Sequence, residues 1–212
     1  MAFLYVILIQ QFYNKTAKKF FLSFKTDMNN INFKAVHIAN PKIQVLNKKG
    51  EYEDKVVTIA KRNPYSQLDY NSLLDIAALW GDVKPNYVQS MLHHSDIIKD
   101  DEKRDVYFLT EQTENLRKIL PEKVLGVVEV TKHKEFSKIN FIQTKPDCAY
   151  ASDTRTYKKV GWKMLEMVES LYGKHKIYLN AVRKAIPFYL KYGFKITYEK
   201  CTNPHMVLNR MH

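Results

Sequence analysis

Along the chain, segments with the hydrophobic spacing of strands alternate with segments that have the hydrophobic spacing of helices. Short apolar or alternating stretches bounded by turn-forming residues are typical of strands, and apolar residues three or four apart are typical of helices. Strands are predicted within 31–46 and at 56–59, 106–109, 123–130, 138–143, 176–182, 194–198 and 206–208. Helices are predicted at 69–80, 87–98, 156–171 and 185–192. This alternation predicts an α/β or α+β domain around a central mixed sheet.

The helix predicted at 156–171 has the clearest pattern. Val160, Met164, Val168 and Leu171 recur at i, i+4, i+8 and i+11, which forms one apolar stripe, and Gly173 is suited to ending the helix. We therefore expect this helix to pack against the sheet along that stripe.

Local stop and start signals delimit the other helices. Asp69 or Asn71 is a candidate N-cap for the helix that Gly81 ends. Pro187 lies in the first turns of the last helix, where a missing N–H is tolerated, and Gly193 follows it.

The first nine residues, MAFLYVILI, are nearly all apolar. The run is far shorter than the roughly 20 residues that span a membrane, and no Lys or Arg precedes it as in a signal peptide. It suits a strand or a short surface helix, and Met28 is an alternative start of the chain. We expect residues 1–28 to be an extension of unknown role and residues 29–212 to form one domain of a cytoplasmic protein without a membrane span.

Composition adds a strongly basic charge to this picture. The 212 residues carry a formal net charge of +12, and 45% of them are hydrophobic, which excludes an intrinsically disordered chain. Residues 151–212 hold twelve Lys and Arg but only four Asp and Glu, so two thirds of the excess lies there. An anionic ligand is therefore expected at the C-terminal part of the chain, although compositional drift is the alternative.

The basic segment 155–165, RTYKKVGWKML, is the best candidate for that ligand. It lies between a predicted strand and the start of a helix, where unpaired N–H groups and a partial positive charge suit a pyrophosphate. Gly161 allows a close approach of the backbone, and Lys158 and Lys159 add charge.

A second segment carries a family resemblance. AIPFYLKYGF at 185–194, directly after the strand KIYLNAV, resembles the C-terminal signature of the GNAT superfamily of acyl-CoA N-acyltransferases. KINFIQTKP followed by YKKVGWKML resembles the acetyl-CoA pyrophosphate loop of that family, except that Lys159 stands where the loop usually has its first glycine. The resemblance implies a three-layer α/β domain with a mixed, twisted sheet that uses acetyl-CoA as co-substrate.

The resemblance also implies a reaction, in which acetyl passes directly from acetyl-CoA to an amine through a tetrahedral intermediate. Tyr189, four residues before Gly193, would protonate the departing CoA thiolate. Backbone N–H groups near Gln143 and Thr144 would polarise the thioester carbonyl. Glu129 is our candidate for a base that acts through water, and Glu135 is an alternative.

The remaining site residues follow from the same resemblance and would contact the cofactor. Trp162 has packing as its alternative role, and Lys159 cannot easily adopt a glycine-only conformation but still offers its N–H. The residues predicted to bind acetyl-CoA are Gln143, Thr144, Arg155, Lys158, Lys159, Val160, Gly161, Trp162, Asn180 and Lys184.

Other chemistry is less favoured by the sequence. His93 and His94 are adjacent on a helix and diverge, without a third ligand at a suitable spacing, so no metal is expected. Two functional alternatives stay open. One is a basic protein that binds RNA or tRNA, or acylates tRNA-linked amines, and the other is a GNAT-like protein that binds acyl-CoA without catalysis. The class of amine is not encoded in a motif.

Overall fold

The structure is a computed structural model that describes residues 35–81, 87–97, 104–148, 155–198 and 203–209. The chain divides into two units at Phe33 and Lys34, and every described residue belongs to the second. The predicted extension, residues 1–28, and the alternative start at Met28 therefore lie outside the described residues.

An eight-stranded mixed sheet forms the centre of the fold, with the order β1-β4-β5-β6-β7-β9-β11-β10. Its strands are β1 (Val36–Ala39), β4 (Thr58–Lys61), β5 (Arg104–Thr110), β6 (Val124–Lys132), β7 (Phe136–Thr144), β9 (Lys176–Asn180), β10 (Lys195–Tyr198) and β11 (His205–Leu208). Only the β7–β9 pair is parallel among the described strands, because α3 carries the chain between them.

Helices cover both faces of this sheet, so the fold has three layers. They are α1 (Gln67–Leu79), α2 (Tyr87–Ile97), α3 (Val160–Tyr172) and α4 (Ile186–Tyr192). Val128 and Val130 of β6 pack in one core with α3 and α4, whereas Val106 and Val127 pack in a second core with α1 and α2. The predicted fold class, a mixed α/β domain with a central sheet between helices, is confirmed.

A smaller sheet has the order β3-β2-β8, of which only β2 lies within a segment predicted to contain strands, 31–46. It consists of β2 (Lys42–Leu46), β3 (Tyr52–Val56) and the two-residue strand β8 (Tyr157–Lys158). The turn between β2 and β3 is closed by the Asn47 side chain, which accepts hydrogen bonds from the backbone of Lys49 and Glu51. Gly50 supplies the left-handed conformation there, at φ 80°.

Several predicted boundaries were wrong for local reasons. The helix expected from residue 156 begins at Val160, because residues 157–158 pair with β2 instead. Leu171 of the predicted stripe is 45% exposed, and Tyr172 is buried in its place. Ser66, rather than Asp69 or Asn71, caps α1, since its Oγ accepts the Asp69 N–H at 3.2 Å.

Candidate active site

Strands β7 and β9 separate at the middle of the sheet. They pair only from Phe136 to Ile139 on β7, and β9 ends at Asn180 while β7 continues to Thr144. The ladder between β6 and β7 is also irregular at this point, because Asn140 is an extra residue opposite the step from Glu129 to Val130. The last part of β7 therefore presents one edge that β9 does not cover.

The start of α3 lies beside the end of β7. A Cβ atom placed on Gly161 would be 3.7 Å from Cγ2 of Thr144 and 3.3 Å from Cζ of Phe188 in α4. The three elements thus meet at Gly161, and a larger residue there would press on the Phe188 ring. This packing is a second reason for a glycine, beside the close approach to a phosphate expected from the sequence.

The first turn of α3 has no side-chain cap. Lys159 is the N-cap residue and makes no side-chain hydrogen bond to the first turn. The N–H groups of the first helical residues therefore point out of the helix with the positive end of its dipole, which favours an anion. The Val160 side chain is buried in the core, so only its backbone can serve such a ligand.

Lys159 adopts a left-handed conformation, with φ 68° and ψ 3°. The sequence led us to expect that a lysine would avoid a glycine-like conformation here. Its φ and ψ lie near the left-handed region that non-glycine residues occupy at a cost of about 1–2 kcal/mol. The surrounding structure must offset that cost.

Tyr189 lies in α4 with its side chain 7% exposed. Its ring contacts Phe188 and Phe194, with centroids 5.2 and 5.7 Å away. A buried tyrosine hydroxyl usually has a hydrogen-bond partner, but the Tyr189 hydroxyl has none among the described residues. Burial raises the pKa of this phenol above its ordinary value, and the nearby phenol of Tyr87 raises it further. Tyr189 is therefore protonated at neutral pH and can donate.

The side chain of Gln143 ties the end of β7 to the start of α2. Its Oε1 accepts the backbone N–H groups of Tyr87 and Val88, at 2.7 and 3.1 Å. Its Nε2 is buried and has no hydrogen-bond partner within the described ranges. Gln143 thus caps a helix with its Oε1, and this cap uses neither its Nε2 nor its backbone.

Tyr87 belongs to this arrangement although no sequence pattern identified it. It is the first residue of α2, its ring lies 6.1 Å from that of Phe141, and burial raises the pKa of its phenol. Its phenol is among the groups that raise the pKa of Tyr189. The only signal in the sequence is an aromatic residue at a helix start, which is too common to be informative.

Glu129 is buried in β6 next to the irregular step in the ladder. Its Oε1 accepts a hydrogen bond of 2.8 Å from Nδ2 of Asn140, which also lies 2.6 Å from Oγ1 of Thr131. Its side chain is 1% exposed. The structure therefore places this carboxylate on the strand that neighbours β7, with Asn140 as one partner.

The other predicted cofactor residues lie around this centre with different partners. Trp162 packs between α3 and α4, with its ring 4.8 Å from that of Tyr192 and its Nε1 donating to Glu166 at 2.8 Å. Asn180 is exposed where β9 ends, and Lys184 is exposed in the turn that precedes α4. Arg155 and Lys158 are held by the small sheet, as described below.

Two further expectations concern metals and membranes. In the described part of the chain no three His, Cys, Asp or Glu residues are grouped to hold a metal ion. The side chains of His93 and His94 are not among those described. No described helix combines the length and hydrophobicity needed to cross a bilayer.

Solved structures similar to this one include an N-acetyltransferase, PaiA of Thermoplasma acidophilum, in complex with coenzyme A. The TM-score is 0.48 at 17% identity, over 72% of this chain and 99% of that chain. The likeness to acetyltransferases that the sequence predicted is thus found among solved structures. A protein of Bacteroides thetaiotaomicron assigned to the GNAT family matches with a TM-score of 0.47 at 14% identity, over 71% of this chain and 87% of that chain.

An acyl-CoA N-acyltransferase of Pseudomonas aeruginosa gives a TM-score of 0.43 at 14% identity, over 70% of this chain and 96% of that chain. No family model matches the sequence, and no curated protein matches it. At these identities the likeness concerns the fold alone. The substrate and the reaction have to be argued from the residues of this chain.

Proposed function

We propose that residues 29–212 form a GNAT-like N-acetyltransferase domain that transfers acetyl from acetyl-CoA to an amine. One observation carries the proposal, namely that the uncapped start of α3, the uncovered end of β7 and α4, the helix that holds the buried Tyr189, meet around Gly161. Each of the three offers hydrogen-bond donors, and acyl transfer from a CoA thioester needs donors for a phosphate, an oxyanion and a leaving group.

Cofactor binding uses the first of these donors. The CoA pyrophosphate lies at the N-terminus of α3, where backbone N–H groups from Val160 onward and the helix dipole attract it. Lys159 and Lys184 are exposed, and in this proposal their side chains add positive charge beside the diphosphate. The pantetheine arm then extends along the edge of β7 that β9 leaves uncovered.

The reaction uses the other two donors. The lone pair of a neutral amine attacks the thioester carbon, and backbone N–H groups near Gln143 and Thr144 stabilise the oxyanion of the tetrahedral intermediate. The C–S bond then breaks, and the thiolate takes the proton of the Tyr189 hydroxyl. The proton that the amine loses leaves through water, with Glu129 as its proposed acceptor.

Burial acts on both partners of the final proton transfer. It raises the pKa of Tyr189, which by itself would make the phenol a weaker acid. A CoA thiolate formed in the same environment is destabilised for the same reason, so its pKa rises too. The second shift opposes the first in its effect on the proton transfer.

Calorimetric titration with acetyl-CoA and an amine panel with labelled acetyl-CoA test the proposal. Tyr189→Phe should lower kcat by about 100-fold or more, because general acid catalysis contributes at least that much, while the Kd for acetyl-CoA stays within about twofold. Tyr192→Phe is the matched control, since that hydroxyl donates to Glu169 instead. Unchanged turnover in Tyr189→Phe excludes the assigned acid, and binding without turnover on any amine favours a non-catalytic acyl-CoA-binding protein.

A further inference from the structure

The segment that leads into α3 belongs to the small sheet. Tyr157 and Lys158 pair with Val45 and Gln44 of β2, and the backbone N–H of Leu46 donates to the carbonyl of Thr156 at 2.8 Å. The hairpin of β2 and β3 therefore holds the backbone immediately before the proposed phosphate-binding turn.

One side chain of that hairpin, Tyr52, contacts the segment at two points. Its hydroxyl donates a hydrogen bond of 2.7 Å to the carbonyl oxygen of Arg155. The Nζ atom of Lys158 lies over its ring, 3.4 Å from the ring centroid, which is within the range of a cation–π contact. A single half-buried tyrosine thus fixes both ends of the four residues from 155 to 158.

The residue that follows is the left-handed Lys159. A strained conformation of this kind persists only where the surrounding structure determines it. The direction in which the N–H groups of the first α3 turn point depends on that conformation. Tyr52 and the pairing with β2 are among the contacts that hold the chain on the N-terminal side of this turn.

We propose that Tyr52 is a positioning residue for the diphosphate of acyl-CoA. It holds Arg155 and Lys158 so that Lys159 turns left-handed and the first N–H groups of α3 converge on one anion. The inference rests on the proposed function, since it concerns the same ligand. It adds that the hairpin, which lies outside the central sheet, sets the affinity for the nucleotide part of the donor and not the rate of acyl transfer.

Tyr52→Phe and Tyr52→Ala separate the two contacts. Tyr52→Phe removes the hydrogen bond to Arg155 and keeps the ring, so the Kd for acetyl-CoA should rise about threefold. Tyr52→Ala removes both contacts, and the Kd should rise about tenfold or more. At saturating acetyl-CoA both variants should keep kcat within about twofold, because Tyr52 touches no reacting atom.

The matched control is Tyr65→Ala. Tyr65 is 66% exposed just before α1, so its removal should leave the Kd unchanged. Amide hydrogen exchange without ligand gives a second readout. Tyr52→Ala should exchange faster over residues 155–161 than the wild type, whereas Tyr65→Ala should not.

The outcomes are distinguishable. An unchanged Kd in Tyr52→Ala, with a wild type that binds acetyl-CoA, overturns this inference and leaves the proposed function standing. If Tyr52→Ala loses its fold, Tyr52→Phe decides, and an unchanged Kd there overturns the inference too. A wild type that does not bind acetyl-CoA overturns the proposed function together with the role of Tyr52 in it, whatever the hydrogen exchange shows.

Discussion

Burial raises the pKa of Asp69 and of Tyr189, but the consequences for the two residues differ. The phenol of Tyr189 is neutral at physiological pH in any case, so its raised pKa costs no stability there. The carboxyl of Asp69 is fully buried in α1, and burial raises its pKa from 3.8 to about 6. The backbone N–H of Asn63, which Oδ2 accepts at 2.8 Å, and nearby Arg62 offset only part of that effect.

The first prediction concerns Asp69→Asn. A carboxyl whose pKa is higher in the folded than in the unfolded state stabilises the fold at low pH, and this contribution is lost as the pH rises through about 6. Relative to Asp69→Asn, the wild type should lose on the order of 3 kcal/mol of unfolding free energy between about pH 4 and pH 7, at about 1.4 kcal/mol per pKa unit.

Urea unfolding of both proteins at several pH values measures this difference. Asp75→Asn, which changes an exposed carboxylate of the same helix, should retain the pH dependence of the wild type. Parallel pH profiles for Asp69→Asn and the wild type would contradict the prediction.

At the scale of elements, the proposed site depends on connections between segments that are distant in the chain. The end of β7 reaches the start of α2 through the Gln143 side chain, and the start of α3 meets α4 at Gly161. The small sheet holds the approach to α3 through Tyr52. Each connection uses a single side chain or a single glycine, so each can be tested by one substitution.

The second prediction is that Gln143→Ala frees the first turn of α2. The variant leaves the N–H groups of Tyr87 and Val88 without their acceptor, which should cost about 1–2 kcal/mol of stability, as for other helix caps. Amide exchange should accelerate in the first turn of α2 and not in α1.

Ser66→Ala provides the reciprocal control for that experiment. It removes the cap of α1, so exchange should accelerate in the first turn of α1 and leave α2 unaffected. Equal effects of both substitutions on both helices would show that the two caps are not local.

At the scale of the whole molecule, the net charge of +12 is compatible with two kinds of anionic partner, a polyanion such as RNA and a small ligand such as a CoA diphosphate. Several lysines already have partners, since Lys55 pairs with Glu111, Lys61 with Asp105 and Lys163 with Glu166. A polyanion would need many lysines at once, whereas a CoA diphosphate needs mainly the donors at the start of α3. Binding at the proposed diphosphate site therefore depends on a few fixed donors more than on the net charge of the chain.

The third prediction compares the salt dependence of two ligands. From about 50 to about 500 mM salt, the Kd for acetyl-CoA should rise only a few-fold, because few charges and several fixed N–H groups bind it. Unfractionated tRNA should bind in the micromolar range at best and lose affinity steeply, as non-specific polyanion binding does. Nanomolar affinity for tRNA near physiological salt would instead support the RNA-associated alternative.

The sequence by itself determined the fold class and the order of most elements. The signals it used are local: the period of the hydrophobic residues, the glycines that end helices and the proline near the start of α4. Backbone preferences also act over a few neighbouring residues, so such signals are enough to predict helices and strands. The motif at 185–194 placed Tyr189 on a helix, and the segment 155–165 placed Gly161 at the start of another. The likeness to GNAT acetyltransferases, inferred from those segments, is found among solved structures.

Only the tertiary structure decided how these residues come together. Tyr52 lies 103 positions from Arg155, and Gln143 lies 56 positions from Tyr87, so no local pattern relates either pair. A strand of two residues such as β8 is too short to show a hydrophobic period. Because it pairs with β2, α3 begins at Val160 and not at the predicted residue 156. A side chain can satisfy a backbone group this far away in the sequence only after folding has brought the two together. Such hydrogen bonds therefore leave no local pattern in the sequence.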